Sequence, residues 1–263
     1  MEKLKNLKLF LLDMDGTIYI DNDLFDGVLE FLDYIKEIGG KYIFMTNNSS
    51  KGVDKYIEKL KSLGIESTKE DFVTSVDATI AYLKNKNYKK IYASGTKSFK
   101  DQLRQADLPI VEDVEEGIDC VLTGFNTELK FKDLEDICII LREDVAYVAT
   151  NPDWVCPTWY GSVPDCGSVS QMIFNATGKM PRFIGKTHPD MAYMAMEKVG
   201  YSKEHTAIIG DRLYTDIACG FNAGINTIFV LSGEGTMEDA DKSEIKPDYI
   251  FENIKQLLSR LTD

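Results

Sequence analysis

Short apolar runs that stop abruptly at a cluster of polar residues constrain this 263-residue chain more than any other feature. Residues 7–12 form one such run, ending at Asp13-Met14-Asp15-Gly16. A run this short and this apolar reads as a buried strand. Val28, Leu29, Phe31, Leu32, Ile35 and Ile38 then fall at helical spacing, and Gly39-Gly40 closes that helix. A second strand over 42–45 breaks at Thr46-Asn47-Asn48-Ser49-Ser50, and an amphipathic helix over 55–63 stops before Gly64. Strand, helix, strand, helix in this order requires right-handed crossovers and a parallel sheet. The rhythm returns later, with a helix over 189–199, a strand over 206–209, a helix over 216–223, a strand over 227–231 and a last helix over 253–261. Between these halves lie strand-like runs at 90–93, 120–123 and 146–150. They are followed by a loop-rich segment, 151–167, holding three prolines and both tryptophans, Trp154 and Trp159. The expected fold is therefore α/β: a Rossmann-like parallel-sheet core in two parts, residues 1–77 and 182–263, with a further domain inserted at 78–181.

Charge narrows the partners. A formal charge of -13 and a pI near 4.7 leave no basic face for nucleic acid, which needs Lys/Arg to neutralise phosphates. Five cysteines, Cys120, Cys138, Cys156, Cys166 and Cys219, form an odd set with no CxxC pair, which suits a reducing cytoplasm. Lys3, Lys5 and Lys8 precede an apolar stretch too short for a signal peptide, and no run is long enough for a membrane span.

Four polar stations follow apolar strands. In the first, Asp13 and Asp15 are two apart in an extended segment and point the same way. Two facing carboxylates are costly without a cation or a shared proton, and hard oxygen ligands suit Mg²⁺. The second is Thr46-Asn47-Asn48, where a hydroxyl and neighbouring N–H groups could hold phosphoryl oxygens, or cap the next helix. The third is Gly185-Lys186, after Phe183-Ile184, where a lysine could bridge a nucleophile and a transferring phosphoryl group. In the fourth, Asp211 leaves a strand as Asp13 does, a candidate third contact to the metal. Asp216 lies at the expected helix start, as an N-cap or in support of the metal site.

These motifs, DMDGT at 13–17, TNN at 46–48, GK at 185–186 and GDRLYTD at 210–216, resemble the haloacid dehalogenase-like (HAD) hydrolase superfamily over the whole chain. The insert between the second and third motifs is similar to the larger α/β cap class. Asn151-Pro152-Asp153, Pro164-Asp165-Cys166-Gly167 and Leu231-Ser232-Gly233 resemble the NagD-like, p-nitrophenylphosphatase-type subfamily. The resemblance implies an Mg²⁺-dependent phosphatase acting on a small phosphorylated metabolite. Asp13 would be the nucleophile and Asp15 the general acid and base. Mg²⁺ would be held by Asp13, Asp211 and the backbone carbonyl of Asp15. Thr46, the amide of Asn47 and Lys186 would hold the phosphoryl oxygens, with Asn48 beside them, and Asp216 would support the metal shell. Asn151 and Asp153 are candidates for the substrate-facing part of the cap. A homodimer is compatible with the resemblance, because caps of this class often take part in dimer contacts. One departure stands out: Thr187 occupies the place of the family's usual proline after the lysine, and Pro189 follows two places on. Asp15 itself counts against dehalogenation, whose enzymes lack the second aspartate.

Overall fold

The computed structural model describes residues 2–158 and 160–263, so Trp159 of the loop-rich segment lies outside the described residues. The chain divides into two compact units. One takes the chain up to Thr46, then Val53–Val73 and Lys186–Asp263, and the other takes Asn47–Gly52 and Thr74–Gly185. The expected edges near Asp77 and Arg182 differ from these by a few residues. The short segment Asn47–Gly52, expected within the core, clusters with the insert instead.

The first unit is built on a sheet of six strands in the order Tyr249–Phe251, Asn226–Val230, Thr206–Gly210, Leu9–Leu12, Lys41–Thr46, Phe72–Thr74. Leu9–Leu12 lies near its middle, parallel to both neighbours, and all its residues are buried, as a run with no polar alternation requires. The helix Val28–Glu37 turns Val28, Phe31, Leu32 and Ile35 inward. Phe31 meets Phe10 edge-on, with ring centroids 5.3 Å apart. On the helix Val53–Ser62, Tyr56 and Leu60 are the buried anchors. The second unit holds its own parallel sheet of five strands, in the order Arg182–Phe183, Ala146–Ala149, Cys120–Thr123, Ile91–Ser94, Ile110–Val111. A separate apolar cluster including Tyr92, Val121, Ile137, Tyr147 and Ile173 packs inside that unit.

One expected element differs. The helix foreseen over 216–223 opens as a π-helical turn, Leu213–Ile217, and becomes α-helical only over Ala218–Ala223. Asp216 is therefore not an N-cap. It sits inside the wide turn with its carboxylate turned back onto the Arg212 N–H at 3.2 Å. In this position Asp216 Oδ1 also meets the Lys186 ammonium at 2.7 Å, and π-turns of this kind are frequent at functional sites.

Candidate active site

Register gathers the first-unit residues. Leu12 stands opposite both Phe44 and Ile209, so the chain leaves the sheet at one edge after residues 12, 46 and 210. Thr46 is the last residue of its strand and Asp13 and Asp211 follow theirs directly, all at the carboxyl ends where open α/β sheets bind ligands. The Asp13 N–H still donates to the Ile209 carbonyl at 2.9 Å, which fixes the start of the turn. Gly16 completes it with a φ of +89°, where a side chain would be strained.

Lys186 reaches into this edge and is buried. Its ammonium contacts Asp13 Oδ1, lies 2.7 Å from Asp216 Oδ1, and donates to the Met45 carbonyl at 3.3 Å. Burial alone would lower its pKa, but the charges of Asp13 and Asp216 outweigh it and keep the lysine firmly protonated. Thr17, also buried, donates from its hydroxyl to Asp13 Oδ2 at 3.2 Å, so both nucleophile-candidate oxygens are engaged.

Asp211 is held differently. Its Oδ2 accepts the Glu234 N–H at 2.7 Å, while its buried Oδ1 has no hydrogen-bond partner. Cβ atoms added at Gly16 or Gly233 would collide with Oδ2, so two glycines make the slot for this carboxylate. Burial first, then the charges of Asp13 and Asp216, push the Asp211 carboxyl well above the ordinary range. Asp13, Asp211 and Asp216 offer carboxylate oxygens all within 4.8 Å of one another. A buried bare oxygen in an all-carboxylate set fits a hard divalent cation of the Mg²⁺ or Ca²⁺ type. Ser232 supports the same corner, donating from its hydroxyl to the Gly16 carbonyl at 2.8 Å.

Asp15 is half exposed, and its Oδ1 lies 3.6 Å from the ammonium of Lys59. Lys59 was not singled out from the sequence, because a lysine on an amphipathic helix reads as solvated charge. Thr17 and Gly233 were visible only as parts of motifs, with no role attached.

Asn47, Asn48, Asn151 and Asp153 belong to the second unit, where Asn47, Asn151 and Asp153 bond to one another. Asn151 is fully buried; its Nδ2 donates to the Asn47 carbonyl at 2.9 Å and its Oδ1 accepts the Asp153 N–H at 3.0 Å. Asn47 Nδ2 donates to Asp153 Oδ1 at 3.3 Å, and Ser75 adds a 2.7 Å hydroxyl bond to the Asn47 carbonyl. Asn48 accepts from the N–H and hydroxyl of Ser50 at 3.0 and 2.7 Å, a local turn motif. The side-chain amides of Asn47 and Asn151 thus tie the 47–52 segment to the insert.

Known proteins resemble this chain in sequence and in fold. A haloacid dehalogenase-like hydrolase model matches residues 10–109, and a HAD-hydrolase-like model matches residues 183–257. An acid sugar phosphatase of Staphylococcus aureus is 32% identical over 259 residues, covering 98% of this chain and 99% of its own. The crystal structure of a 4-nitrophenylphosphatase from Thermotoga maritima superposes with a TM-score of 0.91 at 41% identity, covering 98% of this chain and 99% of that one. A glycerol phosphate phosphatase of Mycobacterium tuberculosis, crystallised with magnesium, gives 0.89 at 28% identity over 97% of this chain and 78% of that one. A calcium complex of the same enzyme is equally similar, at 0.89 and 28%. Among the described residues, no helix is long and apolar enough to cross a membrane.

Proposed function

The chain belongs to the haloacid dehalogenase-like hydrolases and is a phosphoric monoester hydrolase, and from that premise we propose that it cleaves small phosphorylated metabolites through an aspartyl-phosphate on Asp13. The observation that carries this reading is the buried ammonium of Lys186 clamped between Asp13 and Asp216, beside Asp211 with its bare oxygen. Phosphoryl transfer asks a protein mainly for positioning and for neutralisation of spread negative charge. Asp13 makes the in-line attack, and the contacts of Thr17 and Lys186 with its carboxylate support that role. Lys186, the Thr46 hydroxyl and the Asn47 main-chain N–H hold the phosphoryl oxygens. Asp15 protonates the departing oxygen, then takes the proton of the water that attacks the phosphoenzyme.

Mg²⁺ would be held by Asp13, Asp211 and the Asp15 carbonyl, with Asp216 supporting it through Lys186. Bound there, it would supply further neutralisation of phosphoryl charge. The magnesium complex of the Mycobacterium tuberculosis relative supports this choice of cation, and its calcium complex and the carboxylate set support a hard divalent ion in general. The inserted unit selects the leaving group, with Asn151 and Asp153 acting through the local turn they build. Relatives named for sugar phosphate and glycerol phosphate support a polar, hydroxylated phosphomonoester as the substrate class.

The test is direct. The protein should hydrolyse p-nitrophenyl phosphate with Mg²⁺ and stop when EDTA removes it, and Asp13→Asn should lose turnover by at least about 10³-fold. Turnover that survives Asp13→Asn undiminished would sink the covalent mechanism. A phosphate-release screen over a panel of sugar and polyol phosphates then identifies the ester.

A further inference from the structure

Lys59 is a charged side chain of the first unit to which the reaction above gives no task. It projects from the last turn of the helix Val53–Ser62, whose buried Tyr56 and Leu60 lie one turn back and one residue on. Tyr56 in turn packs against the Phe72 ring, with centroids 6.3 Å apart. The ammonium is fixed at two points. It lies 3.6 Å from the centroid of the Tyr19 ring and 3.6 Å from Asp15 Oδ1. Tyr19 is wholly buried and bound to the same turn: its carbonyl accepts the Gly16 N–H at 2.8 Å, and it bridges to Asp15 through the backbone. A cation seated on a buried aromatic face has lost much of a lysine's rotational freedom.

For stability, an ion pair this exposed and this long counts for little. Its geometry suits orientation better. At 3.6 Å the contact is too long to be a strong hydrogen bond, so what Lys59 brings to the carboxyl is charge at a fixed place. We propose that Lys59, clamped on Tyr19, is a positioning residue that holds the Asp15 carboxyl toward the leaving group. This rests on the reaction proposed above. In that step Asp13 forms a bond to phosphorus and the ester P–O bond breaks. Its electron pair stays on the departing oxygen, which takes the Asp15 proton. A misdirected Asp15 harms esters in proportion to their need for that proton. A nitrophenolate leaves readily without it, whereas an alkoxide does not.

The experiment is a leaving-group series: aryl phosphates from p-nitrophenyl to phenyl, then alkyl phosphates, measured as kcat/KM, which reports steps up to phosphoryl transfer. In Lys59→Met, kcat/KM should fall about tenfold or more on alkyl phosphates and distinctly less on p-nitrophenyl phosphate, a fraction of the whole general-acid contribution. Lys59→Arg, which keeps the charge and the ring contact, should restore the wild-type dependence on the leaving group. A loss of equal size on every ester, or no loss, overturns the proposal while leaving the phosphatase reading intact. A wild-type protein inert toward all these esters overturns both. Thermal unfolding of Lys59→Met with its midpoint near wild type separates the effect from misfolding, and the arginine variant reads the same slope if it does not.

Discussion

At the scale of single residues, the site is a balance of buried charge. Asp211 is costly to fold: burial and the nearby Asp13 and Asp216 carboxylates raise its pKa, and one of its oxygens is unpartnered. In the cation-free protein a raised carboxyl means that the folded state binds a proton which the unfolded chain releases above its ordinary 3.8. Stability then rises as pH falls from about 8 toward that value, and the penalty is greatest on the alkaline side. Asp211→Asn removes this cost, so in EDTA at pH 8.5 the variant should be more stable than wild type by about 1–2 kcal/mol, with a flatter pH dependence. With saturating Mg²⁺ the order should reverse, because only the carboxylate gains from the cation. Urea unfolding in EDTA and in Mg²⁺ decides it. A variant less stable than wild type in EDTA at alkaline pH would mean that the Asp211 charge is not strained.

At the scale of elements, the loop carrying Lys186 is held by a clip onto the π-turn. Thr187 has a φ of +112°, a region costly for a β-branched residue. Two hydrogen bonds hold it there: its hydroxyl donates to the Tyr214 carbonyl at 2.8 Å, and Asn222 Nδ2 donates to its own carbonyl at 2.7 Å. Proline fixes φ near −65° and has no hydroxyl, so Thr187→Pro, although it restores the family's usual residue, should destabilise by about 3 kcal/mol and reduce kcat by displacing Lys186. Thr187→Gly should keep the backbone and lose only the clip. Denaturation midpoints and p-nitrophenyl phosphate turnover check both, and a proline variant of wild-type stability would refute the claimed strain. The same loop marks how far the sequence could be read. The departure at Thr187 was visible, but not the backbone it accompanies, because φ there depends on Tyr214 and Asn222 across the fold. Leu9–Leu12 and Thr206–Gly210 were legible because buried parallel strands are unbroken apolar runs, and Asp13 and Asp211 were legible as the first polar residues after them. Asp216 was placed on the wrong kind of element, since nothing local distinguishes a π-turn from a helix start. Lys59 was invisible: its meaning lies in Tyr19, forty residues earlier in the chain.

At the scale of the whole molecule, the chemistry is concentrated in one of two separately packed bodies. Phe10, Phe31, Phe44, Ile209 and Leu257 belong to one apolar cluster, and Tyr92, Val121, Ile137 and Ile173 belong to another. Each cluster lies wholly within one unit, beneath that unit's own parallel sheet. The side chains of Asp13, Asp211 and Asp216 all belong to the first unit. A cation that binds only the folded form stabilises it by RT ln(1 + [L]/Kd), about 2.7 kcal/mol at a hundredfold excess over Kd. If the units open separately, that stabilisation reaches only the unit that holds the ligands. Hydrogen exchange with and without Mg²⁺ should therefore slow in Leu9–Leu12, Lys41–Thr46 and Thr206–Gly210, while Ile91–Ser94, Cys120–Thr123 and Ala146–Ala149 exchange at an unchanged rate. Equal protection of both sets would show that the units unfold as a single cooperative body. Protection confined to the first unit would instead allow the inserted unit to change without loosening the carboxylates, so substrate choice could vary while the reaction stays fixed.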